Sequence, residues 1–110
     1  MNGRVGKATS ELIDARLQTG DTVRFTVPTW SMYPLLAPGD RVIVRRARGD
    51  ELRAGDIVII KPDASAVWLA HRLIARRIEN GCARWITKGD NCAAPDPFWT
   101  EPQMCGIVTA

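Results

Sequence analysis

The chain has 110 residues, 45% hydrophobic and 25% charged, with a net charge of +3 at neutral pH. That length supports one small domain with a single core, and so mild a charge gives no reason to expect a nucleic-acid partner. No run approaches the roughly 18 apolar residues of a membrane span, and the polar start lacks an apolar leader region, so a soluble, cytoplasmic protein is expected. Cys82, Cys92 and Cys105 are odd in number and lack C-x-x-C spacing. They read as reduced thiols rather than a disulfide frame or a zinc site. With a single histidine in the chain as well, no metal and no cofactor is expected.

In chain order, residues 1–8 read as a disordered tail and residues 9–110 as one domain. Ser10 to Gln18 predicts a short helix, with Thr9 or Ser10 as its cap and Gly20 as its stop. Thr22 to Val27 alternates, with Val23, Phe25 and Val27 on one face, which predicts a half-buried strand. Pro28-Thr29-Trp30-Ser31-Met32-Tyr33-Pro34 follows, running on to Pro38-Gly39-Asp40. Its prolines exclude a helix or a central strand, so an ordered turn presenting Ser31 is expected. Serine also occurs in turns simply because its hydroxyl bonds nearby backbone.

Arg41 to Arg45 alternates again. Gly49-Asp50 and Ala54-Gly55-Asp56 are turn signals. Asp40 and Asp56, each after a glycine and before a strand, read as turn formers. Ile57 to Ile60 is continuously apolar, as for a strand buried on both faces. Pro62 to Ser65 reads as a hairpin-like loop. Val67 to Ile78 is the longest extended candidate, and Asn80-Gly81 is the strongest hairpin signal, leading into Ala83 to Lys88. A loop with Pro95, Pro97 and Pro102 precedes a last strand, Met104 to Thr109. Arg45, Arg46 and Arg48, with Arg76 and Arg77, read as a solvated basic face. Short strands with frequent turn signals predict a mainly β fold, an antiparallel sheet coiled into a barrel-like form, with the one N-terminal helix.

Five boxes occur in order: Ser31-Met32-x-Pro34, Pro38-Gly39-Asp40-Arg41-Val42, Ala54-Gly55-Asp56-Ile57-Val58, His71-Arg72-Leu73-Ile74, and Thr87-Lys88-Gly89-Asp90-Asn91 with Asp96 beyond. Together they resemble the signal peptidase I / LexA-like serine protease superfamily, peptidase families S26 and S24. His71 stands where many relatives carry a lysine, which is similar to the endoplasmic-reticulum and archaeal type of signal peptidase. The resemblance covers roughly residues 22 to 109. It implies the same β architecture and a serine endopeptidase that cleaves a peptide or preprotein after small residues.

The chemistry such an enzyme needs can be assigned to residues. A serine hydroxyl is a weak nucleophile until a base takes its proton. The candidate bases are few: Lys7, Lys61, Lys88 and His71. His71 shares one strand face with Val67, Leu69, Leu73 and Ala75, which equally suits a core histidine; the resemblance assigns it as the base for Ser31. An acid must then orient the imidazole, and Asp90 and Asp96 are the candidates. Asp90, directly after a strand and a glycine, reads as support for the site loop. Asp96, held between two prolines, is expected to partner the histidine, as the later acid of the His-type relatives does.

The Ser31 N–H and the Thr29 hydroxyl are the expected oxyanion donors. Trp30, where relatives commonly have glycine, and Met32 are the expected substrate contacts. Trp30, Leu35, Leu36, Phe98 and Trp99 predict an apolar rim suited to peripheral membrane contact or to an apolar peptide. A non-catalytic peptide-binding module on the same fold is the alternative.

Overall fold

The computed structural model describes residues 22–62 and 68–109. The expected tail, the helix of Ser10 to Gln18, and the 63–67 stretch of the loop before the longest strand lie outside these residues. Among the described residues six strands form one antiparallel sheet: β1 (Thr22–Thr26), β2 (Arg41–Arg46), β3 (Ile57–Ile60), β4 (Leu69–Glu79), β5 (Cys82–Lys88) and β6 (Met104–Val108). Their order across the sheet is β1-β2-β6-β3-β4-β5. The only helical elements among the described residues are two short 3-10 turns, Gly49–Glu51 and Glu101–Gln103.

Local sequence accounts for most of these elements. In β1, Val23 and Phe25 are buried and Thr22, Arg24 and Thr26 exposed, the period of two that the sequence shows. The β4–β5 hairpin closes at Asn80-Gly81, with Glu79 opposite Cys82. Both turn residues have positive φ, 51° and 78°, as a type I′ turn requires. Val58, Ile59 and Ile60 of β3 are fully buried, because β3 lies between β4 and β6 with apolar packing on both faces. Asp40 and Asp56 act as turn formers: their carboxylates accept the Ala37 N–H at 2.9 Å and the Arg53 N–H at 2.8 Å.

The core is two clusters divided by the sheet. Val23, Phe25, Val27, Val42, Val44, Ile59, Trp68 and Ala70 pack together on one side. Ala47, Leu52, Val58, Ile60, Leu73, Trp85 and Met104 pack on the other. Val58 and Ile60 fall in one cluster and Ile59 in the other, as pleating demands. Burying aromatic rings as large as Trp68 and Trp85 anchors each side; truncating such a ring costs roughly 3–5 kcal/mol.

The mainly β, antiparallel fold expected from the sequence is present, though the sheet does not close into a barrel. The sheet is open, with β1 and β5 as its edges. The chain after β5 turns back so that Trp99 pairs with Trp85, through backbone hydrogen bonds of 3.0 and 2.9 Å.

Candidate active site

The site forms where the loop after β5 meets the loop after β1. Three hydrogen bonds join them. The Asn91 N–H donates to the Ser31 carbonyl at 2.8 Å, the Asn91 side-chain amide to the Trp30 carbonyl at 3.1 Å, and the Asp90 N–H to the Met32 sulfur at 3.3 Å. Met32 is buried beneath the serine. Tyr33 N–H to Trp30 carbonyl and Leu36 N–H to Met32 carbonyl bonds fold the serine loop into successive turns. Ser31 is thus clamped by backbone on a tight, proline-bounded turn.

Gly89 fits between the serine and the histidine. A Cβ at this position would lie 2.7 Å from the Ser31 carbonyl oxygen, 2.6 Å from the Cys92 sulfur and 3.1 Å from His71 Nε2. Only glycine lets the two loops and the imidazole approach so closely. His71 is buried, on the strand face it shares with Leu73. A β-bulge between Leu73 and Ala75 then breaks the strict alternation expected along this strand.

The imidazole is held from one end. Its Nδ1 lies 2.5 Å from Asp96 Oδ2. The same carboxylate oxygen accepts the Thr87 hydroxyl at 2.6 Å, and the Asp96 N–H donates to the Thr87 carbonyl at 2.9 Å. The other ring nitrogen, Nε2, is buried with no hydrogen-bond partner among the described residues. A buried polar atom left in this way costs about 1–3 kcal/mol, a cost characteristic of reactive sites.

Asp90 is placed differently. Its carboxylate grips the Arg72 guanidinium through two bonds of 2.8 and 2.7 Å, and Arg72 also donates to the Gly55 carbonyl at 2.8 Å. Its side chain therefore serves β4 and, through Arg72, the Gly55 turn. The hydrogen bonds from Arg72 hold the Asp90 carboxyl below its ordinary value, against the opposing effect of burial. The Arg72 guanidinium is raised in turn, first through the same bonds.

Ser31 Oγ lies 3.0 Å from Thr29 Oγ1, and the Ser31 N–H points at the same hydroxyl from 3.4 Å. The two expected oxyanion donors are therefore adjacent and bonded to each other, the Ser31 N–H donating to the Thr29 hydroxyl oxygen. Of the expected rim, Trp30 and Leu35 are 60% and 57% exposed and Phe98 is 48% exposed. Trp30 meets the Tyr33 ring edge-on at 5.3 Å. Leu36 and Trp99 do not belong to this surface. Leu36 packs against a core cluster, and the Trp99 indole turns inward to donate to Thr87 Oγ1 at 2.7 Å.

Sequence reading did not single out Thr87, Trp99, Arg72 or Gly89 for these contacts. Thr87 had a signal: it alternates with buried Trp85 and Gly89 along β5, so its hydroxyl had to find a buried partner.

A serine on a tight turn and a buried histidine backed by a carboxylate are residue types that acyl transfer uses. Comparison with known proteins narrows the class. Residues 14–79 match the family described as signal peptidase, peptidase S26, and the chain belongs to that family. Among curated relatives are the signal peptidase complex catalytic subunit SEC11C of Homo sapiens and that of Mus musculus, each 36% identical over 67 residues. The matched stretch is 60% of this chain and 35% of either relative, so the chain spans about a third of the length of these proteins. The family match includes Ser31 and His71 and ends before Thr87, Asp90, Asp96 and Trp99.

Proposed function

We propose that the chain is a serine endopeptidase of the signal peptidase type, with Ser31 as nucleophile, His71 as base and Asp96 as the acid that orients it. The observation that carries this reading is the buried imidazole, bonded to Asp96 through Nδ1, with a free Nε2 at the glycine that also touches Ser31. His71 Nε2 takes the Ser31 hydroxyl proton as Oγ attacks the scissile carbonyl. The Ser31 N–H and the Thr29 hydroxyl, released from their bonds to each other and to Ser31 Oγ, donate to the oxyanion. The imidazolium then protonates the leaving amine, and water, activated by the same nitrogen, releases the acyl group. For this, Ser31 Oγ turns from Thr29 toward His71 as substrate binds, in keeping with catalytic hydrogen bonds that tighten only in the complex.

The substrate in this reading is an extended peptide or preprotein with a small residue before the scissile bond, passing over Trp30; Met32, expected as a substrate contact, is instead buried and supports the site loop from within. The relatives are named as catalytic subunits of a complex, which supports further subunits as partners. The exposed Trp30, Tyr33, Leu35 and Phe98 support contact with an apolar segment or a membrane surface. Among the described residues no helix is long and apolar enough to cross a membrane.

A panel of peptides varied at the residue before the scissile bond tests the reading. Cleavage after Ala or Gly, absent in Ser31→Ala, is the expected result. Peptide binding without turnover would favour a non-catalytic module, a reading to which the Ser31–Thr29 hydrogen bond lends its one support.

A further inference from the structure

The indole of Trp99 is a donor only, and a threonine hydroxyl carries one hydrogen. The direction of the chain of hydrogen bonds around His71 follows from these two facts. Trp99 Nε1–H donates to Thr87 Oγ1 at 2.7 Å, and Thr87 passes its own hydrogen to Asp96 Oδ2 at 2.6 Å. That oxygen is an acceptor from Thr87, and it receives its second donor from His71 Nδ1 at 2.5 Å. With Asp96 ionised, the imidazole hydrogen lies on Nδ1, which leaves the lone pair on Nε2, the nitrogen beside Gly89.

We propose that Thr87 and Trp99 are positioning residues that fix the His71 tautomer by locking the rotation of the Asp96 carboxylate. Two features of the fold hold the lock in place. Thr87 is fully buried, opposite Leu73 of β4, and it holds Asp96 twice, by its hydroxyl and by its carbonyl. Trp99 is placed by the backbone pair with Trp85, which brings its half-buried indole within reach of Thr87. The proposal rests on the assignment of His71 as the base for its catalytic consequence, and on the hydrogen-bond geometry alone for the tautomer.

The single histidine makes the test direct. Long-range ¹H–¹⁵N NMR of the neutral imidazole, on free protein, reads the tautomer without substrate. The parent is expected to hold the hydrogen on Nδ1. Thr87→Val, which keeps the side chain's shape, and Trp99→Phe, which keeps an aromatic ring, each remove a polar group and are expected to give a mixture with the Nε2–H form, and Thr87→Ser to restore the parent pattern. Peptide cleavage by Thr87→Val is expected to fall roughly 10- to 100-fold in kcat with little change in KM, the loss typical of a displaced catalytic group. If Thr87→Val does not fold, Trp99→Phe carries the test. An unchanged tautomer in the folded variants, or a parent with its hydrogen on Nε2, overturns the proposal. Failure of Ser31 to cleave any peptide would contradict the peptidase reading and leave the tautomer result standing.

Discussion

Asp90 and Asp96 belong to the same loop and carry the same carboxylate, yet they do opposite work. Asp96 is turned inward, where its Oδ2 receives His71 and Thr87. Asp90 is turned toward solvent and joins Arg72 in a bidentate ion pair. The reason is backbone placement. The Asp96 N–H is fixed to the Thr87 carbonyl at 2.9 Å, which sets its side chain over the buried face of β5. The Asp90 N–H goes to the Met32 sulfur, which leaves its side chain above Arg72. Which acid meets the histidine and which meets Arg72 goes with the hydrogen bond of each residue's own N–H, a feature that side-chain identity does not encode; the proposed catalytic role of Asp96 follows from that placement.

The largest effect is expected from the inner acid. Asp96→Asn should reduce kcat/KM on a cleaved peptide by up to about 10⁴-fold, the loss seen when a triad aspartate no longer sets the tautomer. Its stability should stay within about 1 kcal/mol of the parent by denaturant titration. The same substitution at the outer acid should reverse the pattern, with a lower thermal midpoint and a much smaller loss of activity. A well-folded, inactive Asp90→Asn beside an active Asp96→Asn would break the comparison.

Gly89→Ala sharpens it at the point where both loops meet. The added Cβ cannot fit beside the Ser31 carbonyl and Cys92 sulfur without moving one loop. Overpacking of this kind costs about 1–3 kcal/mol, and a displacement of the serine of about 1 Å costs on the order of 100-fold in rate. Kinetics and thermal denaturation of one variant measure both.

The smallest expected effect is that of Arg72→Met, about 1 kcal/mol of stability, since the pair with Asp90 is partly solvated. For a domain of this size that is roughly 4–8 °C in Tm. Its pH dependence has a definite sign. The Asp90 carboxyl is held below its ordinary value by Arg72, so its contribution is fully present above the unfolded-state value of about 3.9. It is lost as pH falls through the lower folded value. The Tm difference between parent and Asp90→Asn should be constant from pH 8 to about pH 5 and shrink at more acid pH.

Much of this arrangement was legible in the chain itself. Period-two burial in Thr22 to Val27, the unbroken apolar run of Ile57 to Ile60 and the Asn80-Gly81 turn are local signals, and each produced the element it predicts. The order of the boxes brought Ser31, His71 and the two acids onto the page together. Non-local pairing was not legible. β6 inserts between β2 and β3, a neighbour relation that no property of Met104 to Val108 states, and the open edge at β5 is covered by a loop rather than by a strand. Trp99 shows the same limit on a smaller scale. An aromatic in a proline-rich loop reads as surface, and only the Trp85–Trp99 backbone pair turns its indole toward Thr87.

The most direct test of the central assignment is intact-mass measurement of covalent labelling by a serine-directed phosphonate. The parent should gain one adduct, mapped to Ser31 by peptide digestion, and labelling should be absent in Ser31→Ala and slowed by orders of magnitude in His71→Ala. A parent that stays unlabelled, or labelling of Ser31 at an equal rate in His71→Ala, would contradict the assignment of Ser31 and His71 as nucleophile and base.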